Sequence, residues 1–155
     1  MKSDSSGRHW IATGAILGFL AVIAGAFAAH GLGDSSYLAD KYAGQTKTVA
    51  GLEMPTSFRR LRDFNTAARY QMFHAVALIL LGLFASRFTS PRLIRASGWS
   101  FTIGTILFSG SLYLLVLTTK TWLGAVTPIG GTLQLVGWIA FAVAAMNAAE
   151  KTPTA

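Results

Sequence analysis

The stretch RYQMFHAVALILLGLF, residues 69–84, opens on a charge and closes as an apolar helix. From Tyr70 to Ser86 there is no Asp, Glu, Lys or Arg. Spanning about 30 Å of hydrocarbon takes roughly 20 helical residues. The segment therefore reads as a transmembrane helix over about 70–88, with Arg69 and Arg87 snorkelling from its ends. His74 lies inside the apolar run, where a polar ring requires a partner or water. What His74 meets is the question that the rest of the chain has to answer.

Three further windows have the same character. Trp10–Ala29, Ala96–Thr119 and Thr121–Ala149 are free of charged residues, and the single Lys120 in TTKTW marks a tight turn between the last two. The expected helices are about 10–29, 70–88, 97–118 and 123–147, all in one domain over residues 1–155. The alternating ten-residue segments of a membrane β-barrel are not present. The fold class that follows is an all-α integral membrane protein, a four-transmembrane-helix bundle.

Composition agrees. Hydrophobic residues make up 52% of the chain and charged residues 12%, about half the share usual in a soluble domain. A formal charge of +7 would suggest nucleic acid in a soluble protein, but here basic flanks meeting anionic headgroups explain it, so no nucleic-acid partner is expected. The chain has no Cys, which excludes disulfides, thiol catalysis and cysteine-ligated metals. The first window imitates a secretory leader, with Lys2 and Arg8 ahead of it and Ala26-Phe27-Ala28 as a passable cleavage site. Its apolar run is longer than a typical leader core, and a retained helix is expected.

The connection 31–69 is the one long loop expected. Its first part, GDSSYLADKYAGQTKTVAG (33–51), is polar and reads as mobile. After Pro55, Phe58, Leu61, Phe64 and Ala68 fall at helical spacing among Arg59, Arg60, Arg62 and Arg69. This predicts an amphipathic helix over about 57–69, lying at the membrane surface or extending the second span. Small residues at Gly14, Gly18, Ala21, Gly25 and Ala29 make a stripe on the first helix that reads as packing.

Alternating spans put the end of helix one, the start of two, the end of three and the start of four in one leaflet. His30 closes the first; Arg69, Tyr70, Gln71 and His74 open the second; Ser109, Ser111 and Tyr113 approach the end of the third; Thr127 and Pro128 open the fourth. At about 1.5 Å per residue, His74 lies roughly 7 Å past Arg69, and Tyr113 and Thr127 fall at similar depth, with Ser109, Ser111 and Gln134 deeper. Pro128 and Gly130-Gly131 suggest an irregular backbone beside this layer. The layer reads either as an interhelical hydrogen-bond network, with His74 bonded to Tyr113 or a serine, or as a site for an ion, proton or lipid headgroup. No acid lies inside a span to orient a histidine, and the sequence holds no G-x-S-x-G, H-E-x-x-H or phosphate-loop motif. His30 and His74 offer two nitrogens and no third ligand, so neither metal nor cofactor is expected. The tryptophans Trp10, Trp99, Trp122 and Trp138 mostly read as interfacial belts.

GAFAAHGL (25–32), RYQMFH (69–74), LFSGSLYLL (107–115) and VTPIGG (126–131), in that order, resemble the YgdD/YwdK-like family of small bacterial membrane proteins. The resemblance runs from about Gly14 to Met146. It implies four transmembrane helices in the cytoplasmic membrane and supplies no biochemical function. The family pattern falls on Gly25, His30, Tyr70, Gln71, His74, Ser109, Gly110, Ser111, Tyr113, Thr127, Pro128, Gly130 and Gly131. The first loop is longer and more basic, and the C-terminal tail less basic, than the pattern implies.

Short loops orient a bundle best, and RFTSPRLIR carries three Arg against one Lys in TTKTW, so both termini are expected in the cytoplasm. The function expected is that of a non-enzymatic accessory or scaffold protein, partnered by lipid and by another membrane protein or a second copy of the chain. The alternative is a small transporter-like, or lipid- or small-molecule-binding, protein using the one-leaflet polar layer around His74.

Overall fold

The computed structural model describes residues 5–87 and 89–147. Lys2, Lys151, most of the tail and the expected helix end at 88 lie outside the described residues. The chain forms α1 (Ser5–Ala26), continued by π-helical turns over Phe27–Gly33; a short α2 (Tyr37–Lys41); two antiparallel strands, β1 (Thr46–Val49) and β2 (Leu52–Pro55); then α3 (Thr56–Phe84), a 3₁₀ turn, α4 (Pro91–Thr118) and α5 (Leu123–Met146). Four of the helices are long and apolar enough to cross a membrane. Large apolar side chains such as Phe19, Leu83, Ile106, Leu135 and Ile139 face outward, as lipid solvation permits.

The structure corrects the expected helix bounds in three places. Of the two alternatives for 57–69 the structure has the extension: this segment and the span that follows are one helix of 29 residues, Thr56–Phe84, rather than two. Between Pro55 and Gly82 there is no Gly or Pro to break it, so a change from basic to apolar composition does not end the helix. At 1.5 Å per residue it is about 44 Å long, and its first turns project beyond a 30 Å hydrocarbon layer. Pro91 starts α4 six residues before the expected 97, because Ser90 is extended and Pro fits a first helical turn. Third, α1 begins before Trp10 and runs on as π-helix to Gly33. The expected small-residue stripe holds only in part: Ala21 is buried, a Cβ at Gly25 would meet nothing within 4 Å, and in the π turns that follow it is Ala28, not Ala29, that is buried.

The first loop is folded rather than mobile. β1 and β2 pair Val49 with Leu52 across a two-residue turn in which Ala50 and Gly51 have φ of 51° and 82°. Two positive φ values make this a turn of the primed hairpin kind. The sequence concealed it by placing Ala where Asn or Gly is usual. α2 packs onto the bundle end: the Tyr42 hydroxyl donates to the Val116 carbonyl at 3.1 Å, and Lys41 Nζ donates to the Leu117 carbonyl.

α1 packs along α3, α4 along α5, and α3 against α4 joins the two pairs. Glycines set both close approaches. A Cβ at Gly82 would stand 2.5 Å from the Gly7 carbonyl oxygen, and one at Gly104 would stand 3.0 Å from the Gly130 carbonyl oxygen. One apolar core (Trp10, Leu78, Leu81, Ile94, Phe101, Ala144) fills the end of the bundle nearer the α3–α4 turn. Two others, around Phe64 and Val116 and around Ala67 and Leu115, fill the end that α2 and the hairpin cap.

Candidate functional site

α3 sits between α1 and α4 and carries the polar side chains that tie the bundle together. Gln71, almost fully buried, bridges three helices. Its Nε2 donates to the Leu17 carbonyl on α1 at 2.9 Å, and its Oε1 accepts from the Tyr113 hydroxyl on α4 at 3.0 Å. Ser109 Oγ on α4 donates to the Ala67 carbonyl on α3 at 2.9 Å. Ser111 and Thr127 share a hydroxyl–hydroxyl bond of 2.8 Å between α4 and α5. At the far end Ser97 Oγ donates to the Gly137 carbonyl at 2.9 Å.

His74 has partners other than the expected Tyr113 or serine. Its Nδ1 is 2.8 Å from the Tyr70 carbonyl, and its Nε2 is 3.3 Å from Trp138 Nε1 on α5. A carbonyl only accepts and an indole N–H only donates, so these two contacts assign the neutral tautomer with its proton on Nδ1. The ring is enclosed by aromatic faces, with centroids 5.5 Å from Phe101 and 6.1 Å from Trp138. His74 is one helical turn beyond Gln71, about 4.5 Å deeper, and does not share a plane with Tyr113 and Thr127.

Three members of the expected layer are not brought into it. His30 lies on the π segment with its side chain 83% exposed, and pairs with Asp34 at 3.1 Å. Arg69 is exposed, on the outer side of α3. Pro128 is exposed and α5 runs through it without interruption, so the expected irregular backbone is absent there. Gly130 instead lets Phe108 of α4 approach the α5 backbone. Tyr70 is half exposed, its ring stacked on Phe108 with centroids 4.8 Å apart.

Sequence reasoning missed two groups. Trp138 does not belong with the interfacial tryptophans: fifteen residues of α5 precede it (Leu123–Gly137) and put it at mid-bundle, against His74. Arg60, which the sequence places in a basic surface run, is buried: Nη1 pairs with Asp63 at 3.1 Å and the guanidinium lies over the Tyr42 ring, 5.7 Å from its centroid. Thr105 Oγ1 and Gln134 Nε2 are buried without hydrogen-bond partners among the described residues. No group of three or more His, Asp or Glu among the described residues could hold a metal ion.

The profile of a family described as "Protein of unknown function (DUF423)" matches residues 24–131. A UPF0382 membrane protein of Staphylococcus epidermidis is 36% identical over 140 residues, covering 90% of this chain and 97% of its own. The UPF0382 membrane protein YwdK of Bacillus subtilis is also 36% identical over 140 residues, covering 90% of this chain and 98% of its own. A UPF0382 membrane protein of Haemophilus influenzae is 39% identical over 128 residues, or 83% and 86% of the two chains. No solved structure matches the chain at a significant level. The chain belongs to this family of membrane proteins of unknown function.

Proposed function

We propose that this member of the DUF423 family is a non-enzymatic accessory protein of the cytoplasmic membrane, with both termini in the cytoplasm, and that its polar layer is a structural seam. The observation that carries this reading is the state of the layer. Gln71, Tyr113, Ser109, Ser111, Thr127 and both nitrogens of His74 are committed to one another, to Trp138 or to backbone carbonyls. A group that works on a substrate needs a free valence facing it, and these groups are already paired. The helix offered to a partner is α1. It packs mainly along α3, touching α4 where the Trp10 ring lies on Gly98 and Trp99, and its apolar span is the least buried of the four, with Phe19 and Val22 more than half exposed.

Photo-crosslinkable residues at Phe19 and Ile23, incorporated one at a time in the native membrane, test the proposal. A discrete polypeptide adduct of one size from these positions, absent from Ile106 and Ile139 on α4 and α5, is the expected result. Lipid adducts alone at every position would overturn it.

A further inference from the structure

We infer that the hairpin end of the bundle holds one anionic phospholipid, its phosphate between Lys47, Arg59 and Arg60 and an acyl chain along Phe108, Leu112 and Leu115. These residues line one cavity of about 400 Å³, within the roughly 300–1,000 Å³ usual for small-ligand sites. Three cations face one carboxylate, Asp63, in the wall of this cavity. Arg60 is the decisive residue. Its side chain is 11% exposed, its ion pair with Asp63 engages Nη1, and its Nε is buried with no hydrogen-bond partner among the described residues. A guanidinium presents several donors in a fixed planar fork that matches phosphate oxygens, so an oxyanion at this point satisfies the donor that the protein leaves open.

The rest of the wall explains why that oxyanion belongs to a lipid. Leu112 and Leu115 are buried side chains of α4 at the spacing of one helical turn, and Phe108 continues the same row toward the bilayer centre. The cations stand at the outer end: Lys47 on β1, Arg59 and Arg60 on the first turns of α3, which project past the hydrocarbon. Charge outside and apolar wall inside is the order of a phospholipid's own headgroup and chain. Leu52, Phe58 and Trp122, all exposed and at this same end, suit the interfacial zone in which such a headgroup lies. The assignment uses groups outside the seam around His74 and stands independently of the accessory role.

Native mass spectrometry of the full-length protein with phosphatidylglycerol, phosphatidylcholine or inorganic phosphate tests it. One phosphatidylglycerol is expected to remain bound, at least about tenfold in preference to phosphatidylcholine, whose phosphate is the same but whose choline sets a further cation against Lys47, Arg59 and Arg60. Arg60→Gln and Arg59→Gln should each reduce that retention about tenfold, whereas Arg92→Gln at the opposite end should leave it unchanged. If Arg60→Gln fails to fold, Arg59→Gln with Lys47→Gln, both on less buried side chains, gives the same answer. Equal retention of the two lipids, or retention indifferent to Arg59 and Lys47, overturns the inference. Binding of inorganic phosphate that displaces phosphatidylglycerol without any dependence on chain contacts (Leu112→Ala unchanged) overturns the lipid assignment in favour of a small-anion site.

Discussion

Replacing Gln71 by Leu removes a side chain whose hydrogen bonds link α1, α3 and α4, and its cost follows from the two bonds it makes. Hydrogen bonds between membrane helices average about 0.6 kcal/mol and reach about 1.7. Losing the Leu17 and Tyr113 contacts together, and leaving the Tyr113 hydroxyl without its acceptor, should cost about 2 kcal/mol. Tyr113→Phe alone should cost about 1 kcal/mol, because it deletes one bond and leaves only Oε1 unpaired. The double variant should cost about 2 rather than 3 kcal/mol, since no orphan hydroxyl survives in it, giving a coupling of about 1 kcal/mol. Reversible unfolding in mixed dodecylsulfate micelles, followed by circular dichroism, measures each value. Strict additivity of the two variants, or a Gln71→Leu protein as stable as the parent, would refute the claim that this bridge holds the bundle.

Four further outcomes are expected. Gly82→Leu brings a Cβ to 2.5 Å from the Gly7 carbonyl and 2.6 Å from Ile11, so α1 must leave α3. A loss of about 3 kcal/mol or more should appear as failure to accumulate in the membrane, while Gly25→Ala, with open space around it, accumulates normally. Trp138→Phe removes the donor to His74 Nε2 and should cost about 1 kcal/mol in the same unfolding assay, with a shifted imidazole ¹⁵N resonance. Thr119, a β-branched residue at φ 63° at the end of α4, is strained, and Thr119→Gly should raise stability by about 1 kcal/mol. Ala50→Asn, at φ 51° in the hairpin turn, should lower amide exchange in β1 and β2 severalfold for the same reason.

The four spans were legible because hydropathy reports on the solvent, and lipid demands it along most of each helix. The helix bounds were less so. Arg59, Arg60 and Arg62 change the environment of α3 without breaking its backbone, and composition alone does not separate those two events. The shared leaflet of Gln71, Tyr113, Ser111 and Thr127 followed from alternation, and the structure brings these residues together in pairs. Rotation about each helix axis was not legible. The π turns of α1 decide where His30 faces, and hydropathy carries no trace of a π turn. His74 meets Trp138 rather than Tyr113 because it lies one turn further along α3 than Gln71, a difference that a count by shared leaflet does not resolve.

The most direct test of the account is native mass spectrometry of the protein extracted from its own membrane in mild detergent, parent beside His74→Ala. The account predicts a polypeptide partner in fixed ratio on both proteins, with the variant less stable but still partnered. A small molecule bound to the parent and lost from His74→Ala, with no polypeptide on either, would contradict it and make the seam a binding site.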